Sequence, residues 1–318
     1  MRVPGFCGYG RMAEQAESSQ TGQSQAEDGR TESAEAPDSA GGTEESVPEG
    51  SVRTNGGEVI ALSTLEHQDE NAASVVYFTS DISPEAMTEI YHALGEGLSG
   101  ENIAVKLSTG EPPASNYLDP ALIADLVHEV DGTIVENNTA YGGQRASTAM
   151  HYQVAEDHGF TEIADFVVLD EDGSVSLPAE GGTRLSENLV GAHFPEYDGY
   201  LVLSHFKGHA MAGFGGAIKN ISIGMASQEG KCLIHTAGES HTSPWGGEQD
   251  PFTESMAEAG KSVVDALDQA CVDLVYASQD DTASLIERME SRNAVHVLEH
   301  GEEIGLGSRS YQMVSIDG

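Results

Sequence analysis

Five β-branched and aromatic runs punctuate the chain: SVVYFTS at 74–80, IAVKL at 103–107, TIVEN at 133–137, DFVVLD at 165–170 and YLVLSH at 200–205. Runs of this length and composition are strands, and the stretches between them carry helical spacing. Ser83 is an N-cap with Pro84 at the first helical position, and Met87, Ile90, Tyr91 and Leu94 follow on one face. Asp119 and Pro120 open a second helix, ALIADLVHEV, and a third is expected from about Ser147 to His158. Strands that alternate with helices imply βαβ units. The expected fold is therefore α/β, a mixed, mainly parallel sheet flanked by helices.

In such sheets ligands bind beyond the carboxyl ends of the strands. That rule gives weight to a few cations in a very acidic chain, where 14 Lys and Arg stand against 53 Asp and Glu, for a net charge of −39. Lys106 lies at the end of one strand, Arg145 in the loop NNTAYGGQR after another, and Lys207 just after a third. If the strands are parallel, these cations converge on one crevice and focus a negative ligand there. Asn138, Thr139 and Tyr141, from the same loop as Arg145, are expected to line it. Each cation could instead pair with a neighbouring acid at the rim.

The stretch SHFKGHAMAGFGGAIKNISIG (204–224) adds Lys219, Asn220 and a glycine cluster at Gly213, Gly215 and Gly216. It is not a Walker A loop, because Phe214 follows the second glycine of G-x-x-x-x-G, and it does not match G-x-G-x-x-G either. What remains is a strand, a glycine-rich bend and a helix start, which would aim backbone N–H groups at an anion. Glycine also serves tight turns for steric reasons alone. His205 and His209 are candidate acid/base groups. With His235 and His241 they outline a metal site only on paper, since the spacing lacks the helical HExxH context, and no metal ligand is assigned. No serine sits in a G-x-S-x-G elbow.

The acidity excludes nucleic acid and anionic lipid surfaces as expected partners, because both need clustered Lys and Arg. No apolar run is long enough for a transmembrane helix. Residues 1–57 are rich in Ser, Glu and Gly and poor in large apolar side chains, so a disordered acidic tail or tether is expected there, ahead of a domain from 73 to 318. Cys7, Cys232 and Cys271 show no CxxC spacing and read as small buried or incidental residues, with no disulfide framework. As written the chain reads as cytoplasmic. The alternative is an exported, lipid-anchored protein, if an apolar segment precedes Cys7.

The stretches KGHAMAGFGGAIKNISIG, ENNTAYGGQRASTAMHYQVAEDHGF and EEIGLGSRSYQMVSID together resemble the domain of unknown function 362 family, whose members are often labelled iron–sulfur centre proteins. The resemblance spans residues 73–318. It implies no general reaction, and the cofactor is unknown. Many relatives carry a cysteine-rich, ferredoxin-like insert that is absent here, and three scattered cysteines cannot make a four-thiolate cluster, so a redox role would have to run through a partner. Relatives also have further strand segments where VVDAL here runs straight into DQAC, near residue 267. Local spacing across that join fits one long helix from about Pro251 to Tyr276, whereas comparison with the family suggests a sheet short of strands and a weakened fold. Three functions are thus carried forward: a redox-associated enzyme holding an anionic small molecule or cofactor in the strand-end crevice, an exported non-catalytic binding lipoprotein, and an iron–sulfur or other metal protein.

Overall fold

In the computed structural model, residues 5–8, 47–95, 98, 100–113, 116–263, 268–279 and 282–317 are described. Gly5–Gly8 forms β1, and a hairpin follows from Ser51–Arg53 (β2) and Val59–Ala61 (β3). Two short stretches inside the tail expected over 1–57 nevertheless join sheets. Gly5–Gly8 is a strand, and Val52 is buried against Leu274, Tyr311 and Met313. Composition alone misses this, because one apolar residue per strand suffices when a core lies elsewhere in the chain. Residues 9–46 lie outside the described residues.

Val75–Phe78 (β4) leads into Pro84–Ala93 (α1), where Ser83 Oγ accepts a hydrogen bond from the Ala86 N–H at 3.1 Å. Ile103–Lys106 (β5) is followed by Pro120–Glu129 (α2), capped as expected by Asp119, whose Oδ1 accepts from Ala121 N at 2.9 Å. Gly132–Glu136 (β6), Thr148–Asp157 (α3) and Phe166–Val168 (β7) continue the series. An antiparallel hairpin, Ser174–Pro178 (β8) with Glu187–Gly191 (β9), comes before Gly199–His205 (β10).

The sheet β1-β10-β5-β6-β7 is parallel at every pair, with Val202 beside Lys106 and Lys106 beside Val135 in register. Its side chains alternate with period two. Val105, Ile134, Leu201 and Leu203 face Ile123 and Leu126 of α2, while Ala104, Val135, Tyr200 and Val202 face the opposite layer with Ile221 and Met225. The chain runs outward from β5 to β6 and β7, then returns to place β10 on the other side of β5. The strand order therefore reverses between β5 and β10, and the crevice at their carboxyl ends is the place where such sheets take ligands.

After β10 the glycine-rich stretch is a ribbon, not a simple bend: Lys207–His209 (β11) pairs antiparallel with Gly213–Gly215 (β12). Ala217–Ile221 (α4), Gln228–His235 (α5) and Gln249–Val263 (α6) come next, then Gln269–Ala277 (α7), Ala283–Ser291 (α8) and His296–Glu303 (α9). The single helix expected from Pro251 to Tyr276 is thus two helices. Asp268 is the N-cap residue of the second, and residues 264–267 lie outside the described residues. Gln312–Ser315 (β13) pairs parallel with β4, which puts β4 in a separate two-stranded sheet. No helix among the described residues is long and apolar enough to cross a membrane.

Candidate functional site at the strand ends

Lys106 is the last residue of β5, and its side chain is fully buried. Its ammonium donates to Leu107 O at 2.7 Å and to Asn220 Oδ1 at 2.8 Å. Asn220, from α4, answers with its amide: Nδ2 donates to Leu203 O at 3.1 Å, Ser204 Oγ at 3.0 Å and Lys106 O at 3.3 Å. One side chain thereby ties the ends of β5 and β10 together at the point where strand order reverses. Burial, and then the neighbouring Lys231, Arg145 and Lys219, push the Lys106 amine down to about 7, with Glu136 pulling the other way.

Glu136 ends β6 as Lys106 ends β5, and it too is buried. Its Oε2 accepts from Thr109 N at 2.8 Å and Thr109 Oγ1 at 2.7 Å and lies 3.1 Å from His151 Nε2, while Oε1 meets Arg145 Nη1 at 2.7 Å. Burial alone would raise this carboxyl, but Arg145, His151 and Lys106 overcome it and hold the group well below the usual carboxylate range. Arg145 also reaches Ser108 Oγ at 3.1 Å and, through Nε, Glu111 at 3.1 Å. It is thus fixed on the crevice by two acids.

Two further lysines complete the group. Lys219 in α4 is pushed down to about 8 by burial and by Lys207, Arg145 and Lys231, and Lys231 in α5 is pushed down to about 8 by burial, with Arg145 adding to the effect. Lys231 is buried and donates to Ala226 O. His209 is held neutral, well below its usual value, by burial and by Lys219, His235 and Lys207; its Nδ1 accepts from Met211 N at 3.3 Å and Ala212 N at 3.1 Å, leaving Nε2 to carry the proton. His205 is also lowered, by burial and Lys207, and its buried Nδ1 has no hydrogen-bond partner.

The structure therefore brings Lys106, Arg145, Lys219 and Asn220 together, with His209 beside them. Lys207 is the charge that acts most on Lys219, and its ammonium donates to Asn116 O at 2.8 Å. The polar groups of Asn138 and Thr139 are spent on the loop itself: Asn138 N donates to Asp170 at 2.8 Å, its amide to Thr148 Oγ1 at 3.0 Å, and Thr139 N to Arg145 O at 2.9 Å. Lys231, Glu136 and His235 are members that the sequence reading missed. Glu136 follows from the same strand-end rule that selected Lys106. Lys231 stands out as one of five lysines, set beside the apolar residues of KCLI.

Two of the three glycines meet a steric need of the fold. The N–H groups of Ala217 and Ile218 that open α4 do point at an anion, but that anion is Asp268 of this chain, at 2.6 and 2.7 Å. A Cβ on Gly216 would lie 2.5 Å from Asp268 Oδ1, and Gly213, at φ +78°, lies against Ala294. Steric need thus explains these two positions.

Among the described residues, the acids and histidines close enough to share a metal ion are Glu171, Asp172 and His193, at the surface, and they do not include His205, His209, His235 or His241. The cysteines do not fit an iron–sulfur cluster: Cys232 is a buried free thiol, and Cys271 is already disulfide-bonded, correcting the expectation of no disulfide. A groove of about 370 Å³ lies away from the strand ends, beside His67, Asp273 and Arg309. There Asp273 accepts from His67 N at 2.9 Å, Gln269 Nε2 at 2.7 Å and Tyr311 Oη at 3.0 Å, which makes it a staple between distant segments.

An open parallel sheet, covered on both faces and carrying its buried charges at the strand-order reversal, makes this a doubly wound α/β protein. The chain belongs to the domain of unknown function 362 family, whose model, "Domain of unknown function (DUF362)", matches residues 103–291, more than half of the chain and the whole run from β5 to α8. No curated protein matches the chain.

Proposed function

We propose that the carboxyl ends of β5, β6 and β10 bind an anionic small molecule, held by Arg145, Lys219 and Lys231 over a floor of Lys106 and Asn220. The observation that carries this is the burial of Lys106 and Lys231 at the strand ends, with Arg145 and Lys219 beside them, in a chain of net charge −39; burial first, and then the neighbouring cations, lower the three amines. Burying several cations against one another costs free energy, and the acids in reach, Glu136, Glu111 and Asp170, leave the three amines below their ordinary range. A bound phosphate or carboxylate would offset that cost. The neutral His209, with its proton on Nε2, supplies an acid/base group on the same site, and His205 a second one. No reaction is assigned to the site.

Thermal unfolding with inorganic phosphate, citrate and oxalate, each matched in ionic strength by sodium chloride, tests it. At least one of these anions should raise the midpoint of the wild type by several degrees and leave Lys219→Met unmoved. Equal responses in the two proteins would remove the proposal.

A further inference from the structure

We infer that the anion taken at the strand ends carries a planar aromatic ring, seated against Trp245 and Tyr141 beside the lysines. The inference rests on the anion-site reading and adds the chemical class of the ligand.

Trp245 is the sole tryptophan, and it is 61% exposed although it is the largest apolar side chain available for a core. Its ring centre lies 6.1 Å from that of Tyr141, tilted by 42°. Tyr141 in turn meets His235 edge-on, at 6.3 Å and 86°, and His235 stacks on Phe252 at 4.7 Å and 11°. A line of rings thus runs inward from solvent. Lys231 and His235 stand one turn apart on α5, and Thr139 bonds both Arg145 O and Tyr141 O, so the rings and the cations are carried by the same two segments.

His235 is the feature that points to a ligand. It is 2% exposed, and neither ring nitrogen has a hydrogen-bond partner. Burial, followed by Lys219 and Lys231, pushes it down to about 3, so the ring is neutral and holds one unpaired N–H and one unpaired acceptor. Buried polar groups are paired in the great majority of cases, and an orphan of this kind calls for a partner that arrives from outside the chain. The loop bearing Trp245 is tied down next to it. Ser240 N donates to Thr236 Oγ1 at 2.9 Å, and a Cβ on Gly247 would lie 2.1 Å from His235 O, so the loop backbone rests directly on the end of α5. Aromatic faces held in this way favour flat partners over puckered ones of equal charge and size.

Titration calorimetry on the intact protein can separate flatness from charge. Benzoate is compared with cyclohexanecarboxylate, and 2-naphthoate with decahydro-2-naphthoate, alongside inorganic phosphate. The flat member of at least one pair should bind about threefold to tenfold more tightly. Trp245→Ala, a change at an exposed position, should abolish that preference, while inorganic phosphate, which has no ring to seat, still binds. Equal affinity within both pairs, or a preference that survives in Trp245→Ala, overturns the inference while leaving the anion site standing. Binding of none of the five anions overturns the anion site and this inference with it.

Discussion

Lys106 and Asn220, 114 residues apart in sequence, hold each other through both their polar ends: the lysine ammonium donates to Asn220 Oδ1 at 2.8 Å, and the Asn220 amide donates back to Lys106 O at 3.3 Å. The pair fastens α4 to the end of β5 and, through Leu203 O and Ser204 Oγ, to the end of β10. It makes the site part of the fold. Asn220→Ala would leave a buried cation short of an acceptor and free three strand-end acceptors, Lys106 O, Leu203 O and Ser204 Oγ, so denaturant unfolding should show a loss of about 2 kcal/mol. Retention of full stability would mean that water replaces the amide at no cost.

Glu136 is the carboxylate that balances the cluster. Glu136→Gln removes a charge that Arg145 meets at 2.7 Å and leaves that guanidinium with Glu111 alone, with an expected loss of about 3 kcal/mol. Phosphate at millimolar concentration should restore part of that loss, beyond what chloride of equal ionic strength does. A variant indifferent to phosphate would contradict the balance described.

Asp268 gives a pH dependence of the opposite kind from most carboxylates. Burial pushes its folded value up to about 6 from an ordinary 3.8, against the two N–H groups of α4 that favour the charge. The folded state then binds the proton more tightly than the unfolded one, so this group's contribution is fully present below about pH 4 and is lost as pH rises towards 6. Asp268→Asn should show a flatter stability profile than wild type between those limits, by on the order of 2 kcal/mol. Parallel profiles would place the ionised carboxylate firmly on the helix.

Four of the five strands of the central sheet, and the helices that follow β4 and β5, are read from local signals, whereas β1 is not. Val and Ile runs gave β5, β6, β7 and β10, and the Ser83 and Asp119 caps gave α1 and α2. The convergence of Lys106 and Arg145 followed from topology, because parallel strands deliver their ends to one edge. Long-range partners were not legible. The pairing of β4 with β13 joins segments more than 230 residues apart, and nothing near Val75 announces Gln312 as its partner. Asp268 looks like any other of the 53 acids until the fold sets it against Ala217. Lys231 is conspicuous as a lysine beside apolar residues, but its place at the site follows only from the packing of α5 against β9 and α6.

Lys219 should be a liability in the absence of ligand. Its folded value, about 8 against an ordinary 10.5, means that the unfolded chain holds the proton more tightly above pH 8, so stability from this group rises with pH between about 8 and 10.5 and is reduced below that window. Lys219→Met should be more stable than wild type at pH 7 by on the order of 1–2 kcal/mol, with the gap closing by pH 10. A variant that is less stable at pH 7 would show that the lysine is already satisfied.

The most direct measurement is the number of protons taken up when the anion binds. An anion between Lys219, Lys231 and Arg145 raises the lysines back towards their ordinary range, so binding at pH 8.5 must be accompanied by protonation. Calorimetric titration with phosphate in buffers of differing ionisation enthalpy reads this directly. The account predicts net uptake of about half a proton to one proton per bound anion, after correction for phosphate's own titration, and a smaller uptake in Lys219→Met. Binding with no uptake, or the same uptake in both proteins, would contradict it.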